Sequence, residues 1–508
     1  MKNIFIIKNF FETHFLIILI FTYLTIRLIN LTLLPIFNDE AIYLDWGYRA
    51  INIKGYLSYP IMHAKPPLLV WIFGLMQKII SDPLQAGRII SVFAGLLTTL
   101  GIYKISQTIF GRKVAIIATT IYLINPLFIF YDRQALMESS ISAAGVWSFH
   151  FFHRLLSEHK VKYSILLGIS LGIGYFIKSN SFAFIISVFI LGIYYIFRSE
   201  NIKSKQLINN LFIVLIIFLI VISPLILNQY FWTTLSQNNN YILMPKELIK
   251  FPITTWLKNF WITLSISLVY LNPLILLSTI VGIFFLVKER RNGLFLVWCL
   301  NGIAVSVLLV KLMSVRYIVS FLPLTTVLAA YALDKIHEKL KLSAVILLSI
   351  IPSVILSYFL IFHPLTYFEL LDKITIHSQK EEYMTNWTSG YGFEETKGYL
   401  ENSAKNKMII VGVRVDEGIP ENAVFAYFLN STNIKPVVFD SLILDNKIFE
   451  YDCLKTSIPF YFVSRDGNLT GLNKFFQEEK RFYKPEEKNY IGIHSLKDNC
   501  QGKTLELN

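Results

Sequence analysis

The sequence predicts an all-α polytopic membrane bundle of about eleven transmembrane helices, followed by a C-terminal α/β domain. Three observations predict it. Hydrophobic residues make up 54% of the 508 positions and charged residues only 16%, against roughly 25% charged in soluble domains; the mean hydropathy is +0.53. Apolar runs of about 20 residues recur through the first 360 positions, each long enough to cross ~30 Å of hydrocarbon. Beyond residue 362 charges appear throughout and the apolar runs shorten to strand length.

Taken in order, spans are expected near 14–34, 84–109, 114–131, 135–153, 163–178, 180–197, 207–227, 256–286, 294–311, 317–333 and 343–361. Only "KSNS" parts the fifth from the sixth, which makes that junction a tight hairpin. The first span lacks a cleavable-signal pattern and is read as retained. Fourteen basic residues fall in five short loops on one side: Arg112–Lys113, "HRLLSEHKVK", "RSENIKSK", "KERR" and "DKIHEKLK". The positive-inside rule makes that side cytoplasmic, with the N-terminus inside and the tail outside. The formal charge of +13 is therefore mostly a topology signal and requires no nucleic acid.

The first external loop, 38–82, holds two interfacial helices. "DEAIYLDWGYRAINI" sets Ile42, Trp46, Ala50 and Ile53 on one face. "KPPLLVWIFGLMQKII" starts with helix-opening prolines, and its apolar part, Pro66 to Ile80, covers only ~22 Å, too short to cross. The tail domain, 363–508, alternates strand-like "KMIIVGV", "KPVVFD", "PFYFVS" and "NYIGIHS" with helical "FEETKGYLENS" and "ENAVFAYFLN". It carries no nucleotide-binding glycine fingerprint, zinc spacing or nucleophile elbow, so shaping an acceptor site is its expected role. Cys453 and Cys500 lie there and are able to pair in an oxidising compartment.

"LLPIFNDEAIYLDWGY" ends the first apolar run at Pro35 and sets Asp39 and Glu40 at its exit. Two readings stay open: acids in a helix's first turn, capped by Asn38, or acids that do chemistry. Other ionisable residues collect at the same outer surface: His63, Lys65, Arg88, Asp132, Arg133, Glu138, Lys178, Lys311 and Arg316. Each alone is accounted for by snorkelling or, for His63, by solvation. Glu138 is harder to dismiss, one turn inside an apolar helix. Together they offer carboxylates to act as a base toward a hydroxyl and cations to hold a lipid-borne phosphate as a leaving group.

"NDEAIY", "AKPPLLVW", "AGRIISVFAG" and "DRQALMES" resemble the GT-C superfamily of membrane glycosyltransferases. The likeness is greatest to family 39, the protein O-mannosyltransferases and the bacterial transferases that add aminoarabinose to lipid A. It covers roughly residues 14–155 strongly and the later spans by topology, with "RYIVSFLPL" and "SGYGF" also similar to bacterial relatives. The resemblance implies a helical bundle with two juxtamembrane helices, and inverting transfer of a sugar from a polyprenyl phosphate to a glycan, lipid or protein hydroxyl. It implies Asp39 as base or acceptor orienter and Glu138 as the acid of the fourth-span motif, and Glu40 is read beside them as a catalytic acid. Lys65, Arg88, Arg133, Lys178, Arg316 and Tyr317 fall to the donor phosphate, and Tyr43, His63 and Asp132 to the rest of the pocket. The aminoarabinose transferases carry an acid before the Lys-Pro-Pro motif; Ala64 stands there in this chain, which argues against lipid A as acceptor. No metal ligand set and no cofactor are expected, a divalent cation being left open. A transporter or flippase of lipid-linked saccharides is the competing reading, and a non-enzymatic envelope assembly protein a third. The first of these requires charges near the membrane midplane in repeat-related positions, and no internal repeat is evident. The Ile- and Lys-rich composition suggests a prokaryotic plasma membrane.

Overall fold

A computed structural model describes residues 2–198, 201–234, 241–290, 292–340, 343–375, 377–439, 458–469 and 471–497. Cys453 and Cys500 lie outside the described residues. The chain divides into two compact units.

The first unit comprises Met1–Leu31, Leu57–Leu69 and Arg88–His363. By length and composition, three described helices suit a membrane crossing: Pro83–Phe110, Ser179–Arg198 and Lys203–Ile226, or six spans if each of three bent pairs counts as one. The expected single spans 114–131, 256–286 and 317–333 are those bent pairs. They bend by 66° between Ile124 and Pro126, by 118° between Tyr270 and Pro273, and by 58° between Phe321 and Thr325. The first two breaks share one device. Asn125 and Asn272 each accept a hydrogen bond from the backbone N–H two residues on, Leu127 and Leu274, at 3.0 Å. A proline follows each Asn as the first residue of the next helix, where its missing N–H is no loss. Elsewhere the helices approach through small residues. Gly168 and Gly172 on Val161–Ile177 face Ile217 and Val221 on Asn201–Ile226, and a Cβ on either glycine would lie within 2.8 Å of the opposite helix. This small-x-x-x-small spacing lets backbones approach closely where lipid gives no hydrophobic drive.

The second unit comprises Thr32–Tyr56, Val70–Gly87 and Pro364–Asn508. It is therefore not the tail 363–508 alone. Its sheet has strands β1 (Ile409–Val413), β2 (Ile434–Val438), β3 (Phe460–Arg465), β4 (Phe476–Tyr483) and β5 (Tyr490–Leu496). The order is β2-β1-β3-β5-β4. β1 runs parallel to β2 and β3, and β5 antiparallel to β3 and β4. The helix Glu421–Phe428 makes the crossover from β1 to β2. Phe439, Phe460, Phe462, Leu472 and Phe476 fill the core on one face.

The helix Asn38–Asn52 joins this unit. The face expected to lie on a bilayer surface is instead covered by protein: Ile42, Trp46 and Ala50 are buried, and Ile53 is half-buried. Asn422 Nδ2 donates to Asp45 Oδ2 at 2.7 Å, and the Arg49 guanidinium lies 4.3 Å from the Phe425 ring centre. Gly47 meets Gly74 of the helix Leu68–Met76 so closely that a Cβ on Gly74 would stand 2.0 Å from the Gly47 carbonyl oxygen.

Candidate functional site

In the second unit, the backbone at Phe37 is extended and the helix begins at Asn38. Glu40 is fully buried and its Oε2 accepts from the Phe37 N–H at 2.9 Å. This is the back-reaching half of a capping box, so Glu40 is the structural acid of the pair. Asp39 is half-exposed. Asn38 Nδ2 donates to its Oδ1 at 3.3 Å, and the buried Tyr43, one turn along, donates its hydroxyl to Oδ2 at 3.5 Å. Asn38 does not cap the helix. Its backbone N–H donates to the Thr388 carbonyl at 3.0 Å. Its Oδ1 lies against Gly418, where φ is +117° and a Cβ would come within 1.9 Å of that oxygen. Burial pushes the neighbouring Asp45 carboxyl up, while Arg49 at 2.6 Å pulls it down.

In the first unit, Glu138 opens the helix Glu138–Glu158 and is 1% exposed. Its Oε1 accepts from Lys178 Nζ at 2.9 Å and from Arg316 Nε at 3.1 Å. Its carbonyl accepts from Ser320 Oγ at 3.1 Å. Lys178 ends the helix Val161–Ile177, and Arg316 sits in the short helix Val315–Ile318. Three remote stretches of chain thus bring two cations onto one carboxylate oxygen. The cationic side chains keep 24% and 16% exposure, so neither is sealed off by Glu138. Tyr317 lies beside them, its ring centre 5.9 Å from Lys178 Nζ.

The other sequence-selected residues divide by contact. Asp132 is buried and accepts from Arg27 (3.3 Å), Tyr23 (3.0 Å), Tyr122 (3.1 Å) and Ser139 (2.8 Å). Arg133 donates to the carbonyls of Ile26, Ile29 and Asn30 at 3.1, 2.7 and 2.6 Å, closing the end of the helix Lys2–Leu28. Arg88, fully buried, donates to the Leu31 carbonyl at 2.8 Å and to Gln134. Lys311 pairs with Glu247 at 3.0 Å. His63 stands 4.7 Å from the Tyr59 ring. Lys65 is exposed at the end of a Schellman turn: its N–H returns to Pro60, and that of Ala64 to Ile61. Ala64 is left-handed there, at φ 56°. Among the described residues no three His, Cys, Asp or Glu side chains gather as a metal site.

Sequence reasoning missed Arg27, Asn422 and Ser320, and weighed Asn38 only as a cap. Arg27 carried a signal, an arginine inside an apolar span. The others act through contacts between distant segments and carried none.

Residues 64–227 match the family described as dolichyl-phosphate-mannose-protein mannosyltransferase. No curated protein sequence matches the chain. Among solved structures, ArnT from Cupriavidus metallidurans is similar in its apo state, with TM-score 0.57, and bound to undecaprenyl phosphate, with TM-score 0.55. Each shares 12% identity and covers 95% of this chain and 98% of that one. The archaeal oligosaccharyltransferase AglB from Archaeoglobus fulgidus, in complex with an inhibitory peptide and a dolichol-phosphate, has TM-score 0.50 and 12% identity. That match covers 95% of this chain and 74% of that one.

Proposed function

From the GT-C fold that this integral, multi-pass chain shares with those structures, we propose that it is a glycosyltransferase using a polyprenyl-phosphate sugar and a hydroxyl acceptor. The pair of part-exposed cations on Glu138 carries the reading. An arginine and a lysine held side by side suit a phosphate, and charge-assisted bonds to it strengthen as it becomes a leaving group. Lys178 and Arg316 are assigned to the donor phosphate, with Tyr317 beside them and the exposed Lys65 as a further cation. Glu138 holds the two cations in place. A carboxylate already accepting from two cations is a poor proton acceptor, so the base is assigned to Asp39.

The step balances simply. Asp39 takes the acceptor hydroxyl proton, the acceptor oxygen bonds to the anomeric carbon from the face opposite the phosphate, and the sugar–phosphate C–O bond breaks. The anomeric centre inverts, and polyprenyl phosphate departs with its charge on the cations. Asn38 and Tyr43 aim the base by donating to its two oxygens. Arg88, Arg133 and Asp132 tie helix ends together, and the carboxylate of Glu40 starts the helix that carries Asp39. The positive-inside count supports an external position for these ends of the bundle.

The test is to supply purified protein with a panel of polyprenyl-phosphate sugars and detect which loses its sugar. Asp39→Asn should bind undecaprenyl phosphate as wild type does and lose transfer by the ~10²–10⁴-fold typical of a missing general base. A lipid-linked sugar that crosses a vesicle bilayer without being consumed would favour the transporter instead.

A further inference from the structure

Lys484 follows β4 and is only 3% exposed. Its Nζ donates to three backbone carbonyls of one loop: Asn386 at 3.0 Å, Trp387 at 3.0 Å and Ser389 at 2.6 Å. An ammonium has three hydrogens, and each is matched to one carbonyl. The carbonyl left out is that of Thr388, which accepts from the Asn38 N–H at 3.0 Å. Asn38 Nδ2 in turn donates to Asp39 Oδ1 at 3.3 Å. Hydrogen bonds joined through the 387–389 backbone and through Asn38 therefore link a buried lysine to the half-exposed carboxylate.

The loop is held from its other side as well. The Arg465 guanidinium lies 4.2 Å from the Trp387 ring centre and donates to the carbonyls of Ile419 at 3.0 Å and Glu417 at 3.2 Å. Those carbonyls flank Gly418, the glycine whose backbone abuts Asn38 Oδ1. Asn38 is thus fixed by two loops of the second unit at once. Burying an ammonium is costly, and an apolar side chain would fill the same space with less penalty. The geometry that the lysine imposes is what distinguishes it from such a replacement.

We propose that Lys484 is a positioning residue for Asp39: it fixes the 386–389 loop, the loop fixes Asn38, and Asn38 aims the carboxylate. The proposal rests on the reading of Asp39 as the acceptor-side base. It gives the tail domain a defined part in the reaction although the tail supplies no reacting group.

The experiment uses the full-length protein in detergent, with undecaprenyl phosphate as the binding probe and polyprenyl-phosphate mannose as the donor probe. Lys484→Met should speed amide hydrogen exchange in both 386–390 and 37–41, leave the exchange of Glu138–Glu158 unchanged, and leave undecaprenyl phosphate affinity within about twofold. With protein titrated by that binding, kcat should fall at least tenfold while the donor KM stays put; a general loss of folding would instead lower binding capacity and speed exchange throughout. Should Lys484→Met fail to fold, Asn38→Ala removes only the last link and should lower kcat comparably, with the 386–390 exchange unchanged. If the 37–41 segment exchanges as in wild type in Lys484→Met, or if Asn38→Ala transfers normally, the line of positioning does not exist. Asp39→Asn separates the two ideas: full transfer by that variant overturns the base assignment, whereas an inactive Asp39→Asn beside a fully active Lys484→Met overturns the positioning alone.

Discussion

Asp39 and Glu40 are chemically near-identical neighbours, yet their surroundings differ. Glu40 is turned inward to the Phe37 N–H and Asp39 is left half-exposed. Glu40→Gln keeps an acceptor for that N–H, so its stability cost should stay under ~1 kcal/mol, the scale of a single cap interaction, and transfer should persist; thermal melting beside a transfer assay checks both. Glu138→Gln is a different case. It removes the charge that Lys178 and Arg316 share, and should cost about 1.5–3 kcal/mol, the range for hydrogen bonds to charged groups, with weaker undecaprenyl phosphate binding by titration. Loss of transfer with that binding intact would make Glu138 the base. Ala64 gives a third expectation. It occupies the left-handed position of a Schellman turn at φ 56°, which suits glycine better. Ala64→Gly should raise stability by up to ~1 kcal/mol and leave transfer unchanged.

At the scale of elements, apolar run length made most helices legible, and the same signal hid the breaks. A 31-residue run such as 256–286 reads as one long span because hydropathy averages over the Asn272–Pro273 step. The Asn-Pro pair was visible, and so was the one at Asn125–Pro126. Each marks a cap followed by a helix start. β1, β2, β3 and β5 were legible from their β-branched and aromatic runs. β4 was not, because "FQEEKRFY" is an exposed edge strand, and its charges are what keep such an edge from pairing with another chain. At the candidate site, sequence position singled out acids and cations but not their contacts, which depend on which carbonyls each guanidinium meets. Arg133 shows this. As a phosphate ligand its loss would weaken donor binding alone. As the closing residue of the helix Lys2–Leu28, with three carbonyls at 2.6–3.1 Å, Arg133→Ala should lower the melting temperature by removing bonds worth about 1.5–3 kcal/mol each to a charged donor. Unchanged melting with lost undecaprenyl phosphate binding would restore the phosphate role.

The whole molecule carries two further expectations. Burial pushes the Lys484 ammonium from its ordinary 10.5 down to about 7. Asp466 and Glu421 nearby pull it up and Arg465 pushes it down. The unfolded chain therefore binds more protons between those values, and stability should rise with pH from about 7 toward 10.5. Lys484→Met should flatten that rise in melting scans from pH 7 to 9. For orientation, a cysteine near Lys160 or Arg290 should react only with permeant reagents and one near Asn430 with impermeant ones, as the basic-loop count requires. Finally, the second unit is assembled from Thr32–Tyr56, Val70–Gly87 and a stretch that begins at Pro364. A ribosome working at about 5–20 residues per second needs roughly 15–55 s to travel from the second of these pieces to the third. Through that interval the helix bearing Asp39 has emerged without Asn422, Phe425 or Thr388 to receive it. The helix Asn38–Asn52 therefore gains its packing partners only after the last apolar helix has left the ribosome, so a nascent chain that stalls or is cleaved before then leaves that helix without them.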